Sequence, residues 1–224
     1  MDLIVLYIYA YVIGSIPTPF LIGRIARGID IRQYGSGNVG SHNVFHNVGK
    51  IWVIPLCMFE FLAKGASPVW IGSWLLSLDN SSYLLSATVL LSITANNWSP
   101  WLKFTGGRGL AVVVGGLGAL AYREMLLFVG IATLGWVIFK SSGIWSLISL
   151  LLIPLWAFLF GEPEAVIWMS VGIIIIVIAK RLTSNWDPLM PDISKAGLFF
   201  NRFLRDRDMA DKDKWLKRSP IDKV

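Results

Sequence analysis

Residues 165–179 read AVIWMSVGIIIIVIA, an uncharged run that Lys180 and Arg181 follow directly. Such a run is what a helix needs to cross hydrocarbon, and two cations at its end suit the headgroup boundary, where positive side chains are favoured on the cytoplasmic side. The same composition recurs upstream. Apolar stretches run from Leu3 to Ile25, Ile51 to Leu76, Tyr83 to Asn97, Leu110 to Tyr122, Met125 to Phe139 and Ile144 to Phe160. Over the 224 residues 55% are hydrophobic and 15% charged, with a mean hydropathy of +0.62; that balance argues against an ordinary soluble domain. The expected fold class is an all-α integral membrane protein with seven transmembrane helices.

An odd number of spans puts the two ends on opposite sides, and the basic residues decide which is inside. The first, third and fifth loops hold Arg24, Arg27, Arg32, Lys50, Lys103, Arg108 and Lys140, and the chain from Lys180 onward carries most of the remaining cations. Arg123 stands on the opposite side and Lys64 within a span. The positive-inside bias therefore predicts an outside N-terminus and a cytoplasmic C-terminus. Arg24 and Arg27 follow the first apolar stretch, the reverse of a cleavable signal peptide, so that stretch is read as a retained span. Gly14, Ser15, Pro17 and Pro19 interrupt it, which predicts a kink packed against protein. The net charge of +6 follows span sidedness, so no nucleic-acid partner is expected.

Two glycine-rich loops on the predicted cytoplasmic side carry the candidate chemistry. The first contains Gly35-Ser36-Gly37-Asn38-Val39-Gly40-Ser41-His42-Asn43. Glycine and asparagine accept positive φ, so successive N–H groups converge on one concavity, and hydroxyl or amide side chains add directed hydrogen bonds. A plain surface turn has the same composition. The second, Phe104-Thr105-Gly106-Gly107-Arg108-Gly109, runs straight into the apolar stretch from Leu110. Unpaired N–H groups at a helix start, close approach over glycine and one guanidinium suit a phosphate. Leu110 to Tyr122 would rise only about 20 Å against a hydrocarbon thickness of roughly 30 Å, so the glycines before it are expected to lie below headgroup level beside a watered cavity. Glu60 and Lys64 are four apart and are expected to pair on one helix face. Cys57 is the single cysteine, and His42 and His46 lack neighbouring carboxylates; neither a metal nor a cofactor is expected.

At these residues the chain resembles the PlsY family of bacterial acyl-phosphate-dependent glycerol-3-phosphate acyltransferases. Gly14-Ser15-Ile16-Pro17 is similar to that family's first-span motif, Gly35 to Asn38 with Gly40 and Asn43 to its first cytoplasmic loop, and Phe104 to Gly109 to its phosphate loop. Arg181 and Asn185 fall where its third motif has Arg and Asn. The resemblance implies transfer of a fatty acyl group from acyl phosphate to the 1-hydroxyl of sn-glycerol 3-phosphate, forming lysophosphatidic acid at the inner face of a bacterial plasma membrane. It implies catalytic roles for Ser36, Asn38 and His46. Substrate or phosphate binding falls to Gly37, Gly40, Asn43, Asn96, Thr105, Gly106, Gly107, Arg108, Arg181 and Asn185. The chain departs from the family where His46 replaces an arginine, Asn96 a histidine and Thr105 a lysine, and where Leu182 and Ser184 stand in the third motif. A non-catalytic or retargeted paralogue that binds a phosphorylated lipid, and a small organophosphate or lipid transporter, are the alternative readings.

The sequence divides into a membrane domain, 1–186, and a cytoplasmic tail, 187–224. Leu198, Phe199, Phe200, Phe203 and Leu204 among Asn201, Arg202 and Arg205 predict an interfacial amphipathic helix, with disorder after Arg205. The oligomeric state leaves no sequence signal.

Overall fold

The computed structural model describes residues 2–185 and 194–216, and the expected domain boundary at 186/187 lies outside them. Apart from one antiparallel bridge between Ser99 and Thr105, the described residues form helices and the turns that join them. Five helices are long and apolar enough to cross a membrane: Leu3–Arg27, Lys50–Leu76, Tyr122–Phe139, Ser142–Leu159 and Glu164–Thr183.

The first of these is two pieces, α1 (Leu3–Ser15) and α2 (Thr18–Arg27), divided at Ile16-Pro17. The division falls against protein. Gly14 abuts the backbone of Ser92, leaving no room for a Cβ. The Ser99 hydroxyl donates to Ser15 O at 2.6 Å, satisfying a carbonyl that proline leaves without an intrahelical N–H. After the short α3 (Ser41–Asn47), the next span is α4 (Val53–Met58), a π-helical stretch Phe59–Ala66 and α5 (Ser67–Leu76). Then come α6 (Tyr83–Asn97), α7 (Leu110–Leu120), α8 (Tyr122–Phe139), α9 (Ser142–Leu159) and α10 (Glu164–Thr183). The C-terminal segment adds α11 (Lys195–Arg205) and α12 (Lys212–Leu216).

α6 and α7 form the centre. α6 packs against α1 and α10, and α7 against the π-helical stretch, where Gly115 meets the Cα of Gly65 and the carbonyl of Phe61. Val89 and Ile93 of α6, Val113 and Leu117 of α7, Ile153 of α9 and Ile173 of α10 make the core between them. α7 has 11 residues and spans about 16 Å. The loop that precedes it, Gly107 to Gly109, lines a cavity.

In α11, Leu198 is buried while Phe199, Phe200 and Phe203 are exposed. The described residues past Arg205, 206–216, depart from the expected disorder: Asp208, Met209 and Trp215 are buried. The cause is ionic as well as apolar, since Arg202 Nε pairs with Asp208 at 2.7 Å and folds the turn back onto α11.

Candidate active site

The first glycine loop is held from inside by one amide. Asn43 Nδ2 donates to the carbonyls of Ile31 at 2.9 Å, Tyr34 at 3.1 Å and Asn38 at 3.0 Å, while its Oδ1 accepts from Asn47 Nδ2 at 2.7 Å. Gly37 turns the backbone at φ +69, and the Ser36 hydroxyl accepts from Asn38 N at 3.2 Å. Ser36 and Asn38 are consequently buried at the wall of a cavity. Asn38 Oδ1 is a buried acceptor with no hydrogen-bond partner among the described residues. That oxygen lies just under the cavity surface, where a turn of the amide would present it to a donor such as a substrate hydroxyl.

The second loop reaches the same cavity. Gly107 lies so near the carbonyl of Val39, and Gly109 (φ +72) so near Asn97 Oδ1, that a side chain at either would collide. The close approach lets Gly107 N donate to Asn96 O and Val39 N to Gly106 O. Asn185, just past α10, clamps both loops. Its Oδ1 accepts from Gly106 N at 3.3 Å, and its Nδ2 donates to Gly106 O at 2.5 Å and Gly37 O at 3.3 Å. The second loop delivers Arg108, 8% exposed, together with the N-terminus of α7, whose first N–H groups have no helical partner.

The cavity so formed has a volume of about 480 Å³. Ser36, Asn38, Asn96, Gly107 and Arg108 are among its polar lining; Pro19, Leu110, Ala111, Ala132 and Trp136 are among its apolar lining, and Trp136 of α8 is itself half exposed. Beneath it lies the expected ion pair, Lys64 Nζ on Glu60 Oε1 at 2.5 Å. Lys64 also donates to Asn96 Oδ1 at 2.9 Å, which fixes the amide's orientation and turns its NH2 toward Gly107. The pair thus orients a cavity side chain.

Several predicted site residues take other positions. His46 is exposed beside His42, ring centroids 4.6 Å apart, and does not line the cavity. Partial burial lowers its imidazole pKa, with Lys212 and Lys50 adding repulsion, so it brings no lasting positive charge at neutral pH. Thr105 spends its hydroxyl on Leu102 O at 2.7 Å and also lies outside the cavity. Arg181 is fully buried, donating to Gly143 O at 3.0 Å, Phe203 O at 3.2 Å and Ser146 Oγ at 2.9 Å; it fastens α9 and α11 to α10. Gly37, Gly106 and Asn185 shape the wall from behind, while Gly40, Asn43 and Asn96 line it.

Sequence reasoning passed over four contributors. His42 lines the cavity, and burial of its ring lowers the imidazole pKa to about 4, with repulsion from His46 and Lys212 reinforcing the shift and Asp206 opposing it. The residue is still exposed along one side, so the firm consequence is a neutral ring at pH 7. Arg205, Asp206 and Trp215 come from the C-terminal segment, where no motif marks them. Among the described residues no group of three or more His, Cys, Asp or Glu is arranged to hold a metal.

A family model described as glycerol-3-phosphate acyltransferase matches residues 4–190. The chain belongs to that family. A relative from Dehalococcoides mccartyi strain CBDB1, named glycerol-3-phosphate acyltransferase 4, is 34% identical over 214 residues, covering 93% of this chain and 90% of the relative. A glycerol-3-phosphate acyltransferase from Rubrobacter xylanophilus is 34% identical over 163 residues, 71% of this chain and 78% of its own. The fold is similar to the crystal structure of PlsY (YgiH), an integral membrane glycerol 3-phosphate acyltransferase in its glycerol 3-phosphate form. That likeness has a TM-score of 0.72 and 28% sequence identity, over 80% of this chain and 88% of that one. Family membership and five apolar helices together make this acyltransferase-family chain a multi-pass membrane protein.

Proposed function

We propose that the protein transfers a fatty acyl group from acyl phosphate to the 1-hydroxyl of sn-glycerol 3-phosphate, forming lysophosphatidic acid and inorganic phosphate. The observation that carries this is the convergence of both glycine loops, clamped by Asn185, on one cavity with an anion-binding wall and an apolar wall. A reaction between a phosphorylated lipid and a phosphorylated polyol needs both walls at once. Arg108 and the α7 N-terminus hold phosphate oxygens. The acyl chain lies along Leu110, Ala111, Ala132 and Trp136.

The mixed anhydride is already activated, so alignment and charge stabilisation do the work. The glycerol hydroxyl oxygen bonds to the acyl carbon as the bond from that carbon to the phosphate oxygen breaks. The departing phosphate takes the hydroxyl proton, so no protein base is required. Asn38 Oδ1 accepts from the hydroxyl and aligns it, Ser36 braces that turn, and the Asn96 NH2 donates to charge developing on the carbonyl or phosphate.

The site opens to the cytoplasm in a seven-span protein with an outside N-terminus, completed by the shorter apolar helices α6 and α7. Support comes from the first, third and fifth loops and the C-terminal segment meeting at one end. Asn185 bonds Gly37 and Gly106, and Lys212 Nζ approaches Lys140 O. Purified protein given radiolabelled glycerol 3-phosphate and palmitoyl phosphate should yield labelled lysophosphatidic acid, and Ser36→Ala should yield at least tenfold less. No product above the Ser36→Ala control would leave only a binding role. Product from palmitoyl-CoA but not palmitoyl phosphate would refute the donor.

A further inference from the structure

The C-terminal segment lies beyond the residues that the family model matches, yet it reaches into the cavity. Buried arginines hold α11 in place: Arg181 grips Phe203 O, and Arg202 Nη1 donates to Leu182 O at 2.9 Å. The helix ends at Asp206, where φ of +55 turns the chain. There the Asp206 carboxylate meets Arg108 Nε at 2.5 Å, while Arg108 Nη1 donates to Lys180 O at 2.8 Å. The guanidinium assigned to substrate phosphate therefore already holds an anion supplied by the chain.

The charges around the cavity sharpen the point. Besides His42, the ionisable residues on its wall are Glu60, Asp206, Arg108 and Arg205, two of each sign. Lys64 compensates Glu60 from beneath. With Asp206 on it, the Arg108 guanidinium offers a dianionic phosphate less attraction than it would alone, although Lys180 and Arg181 stand nearby. With Asp206 displaced, the Arg108 guanidinium is left with Lys180 O as its partner and its Nε free for a phosphate oxygen, while the Arg205 guanidinium stays on Asn201 and Phe200.

We propose that the Asp206 carboxylate is an internal stand-in for a substrate phosphate, making the turn after α11 a displaceable gate on the anion subsite at Arg108. This rests on the reading of Arg108 as a phosphate ligand. Arg202 holds Leu182 O and also Asp208, so α11 and the turn at 208 stay put, and the part that moves is Asp206 with Arg207. A carboxylate there keeps the guanidinium oriented and paired, so it is never a bare buried charge, and yields when a stronger dianion arrives.

The test titrates inorganic phosphate and glycerol 3-phosphate, by calorimetry, into the full-length protein in detergent as wild type, Asp206→Asn and Asp206→Glu. Amide exchange at Asp206 and Arg207 is followed in the wild type. The gate predicts that Asp206→Asn binds both ligands about tenfold more tightly, because a competing charged hydrogen bond is gone, and that Asp206→Glu stays near wild type. It also predicts that phosphate raises exchange at Asp206 and Arg207. Unchanged or weaker phosphate binding in Asp206→Asn would make the pair a fixed brace and overturn the gate. So would phosphate that leaves Asp206 and Arg207 equally or better protected, a result that needs no variant, or no phosphate binding by any form. If glycerol 3-phosphate binds wild type and Asp206→Asn equally, the gate falls and the substrate reading stands. If inorganic phosphate shows the tightening and glycerol 3-phosphate binds no form, the gate stands and the substrate reading falls.

Discussion

Asn185 places one amide against two loops, so its loss should cost more than a surface hydrogen bond does. Replacing it with alanine strands Gly106 N and Gly37 O, leaves Gly106 O only Val39 N, and takes the amide acceptor from Lys180 Nζ. We expect a stability loss of about 2 kcal/mol in detergent thermal unfolding, and a fall in kcat/KM of roughly 100-fold because the two walls lose their spacing. Asn185→Asp should be no better, since a carboxylate cannot donate to the two carbonyls. His42 sets an acid limit. Its folded-state pKa is lowered from the ordinary 6.5, so below that pH the unfolded chain binds more protons than the folded one. Stability should fall as pH drops from 6.5 toward 4 and be insensitive to this group above 6.5. His42→Gln should flatten that part of a melting-temperature profile; an unchanged slope would assign it to other groups.

At the scale of elements, close packing of α7 on the π-helical stretch sets the depth of the cavity. A Cβ at Gly115 would collide with the Phe61 carbonyl and the Cα of Gly65, both backbone atoms that cannot swing aside. Gly115→Ala should destabilise by about 1–3 kcal/mol. Gly130 of α8 has open space around its Cβ position, so Gly130→Ala should change stability by less than about 1 kcal/mol. A comparison of the two melting temperatures separates packing from helix propensity. If Gly115→Ala melts no lower than Gly130→Ala, the contact is looser than described. Apolar runs made the helices readable in the sequence. The π-helical winding of Phe59–Ala66 carries no compositional mark, because it arises from packing against α7.

Across the whole molecule, the sequence located the two loops because glycine, asparagine and serine in that density serve backbone geometry that other residues resist. It could not say which polar side chains would be consumed in building the walls. Arg181 reads as a phosphate ligand by type and position, but three oxygens from α9 and α11 surround it. Thr105 and His46 likewise lie outside the cavity, while Asp206 enters it through the path of a tail that no motif marks. Both loops act on one bound pair of substrates. The most direct measurement is kcat/KM for glycerol 3-phosphate in Ser36→Ala, Arg108→Ala and the double variant, all in purified full-length protein. One shared site predicts strong non-additivity, with the double variant about as impaired as the worse single one. Losses that simply multiply would show the two loops working independently and would contradict the account.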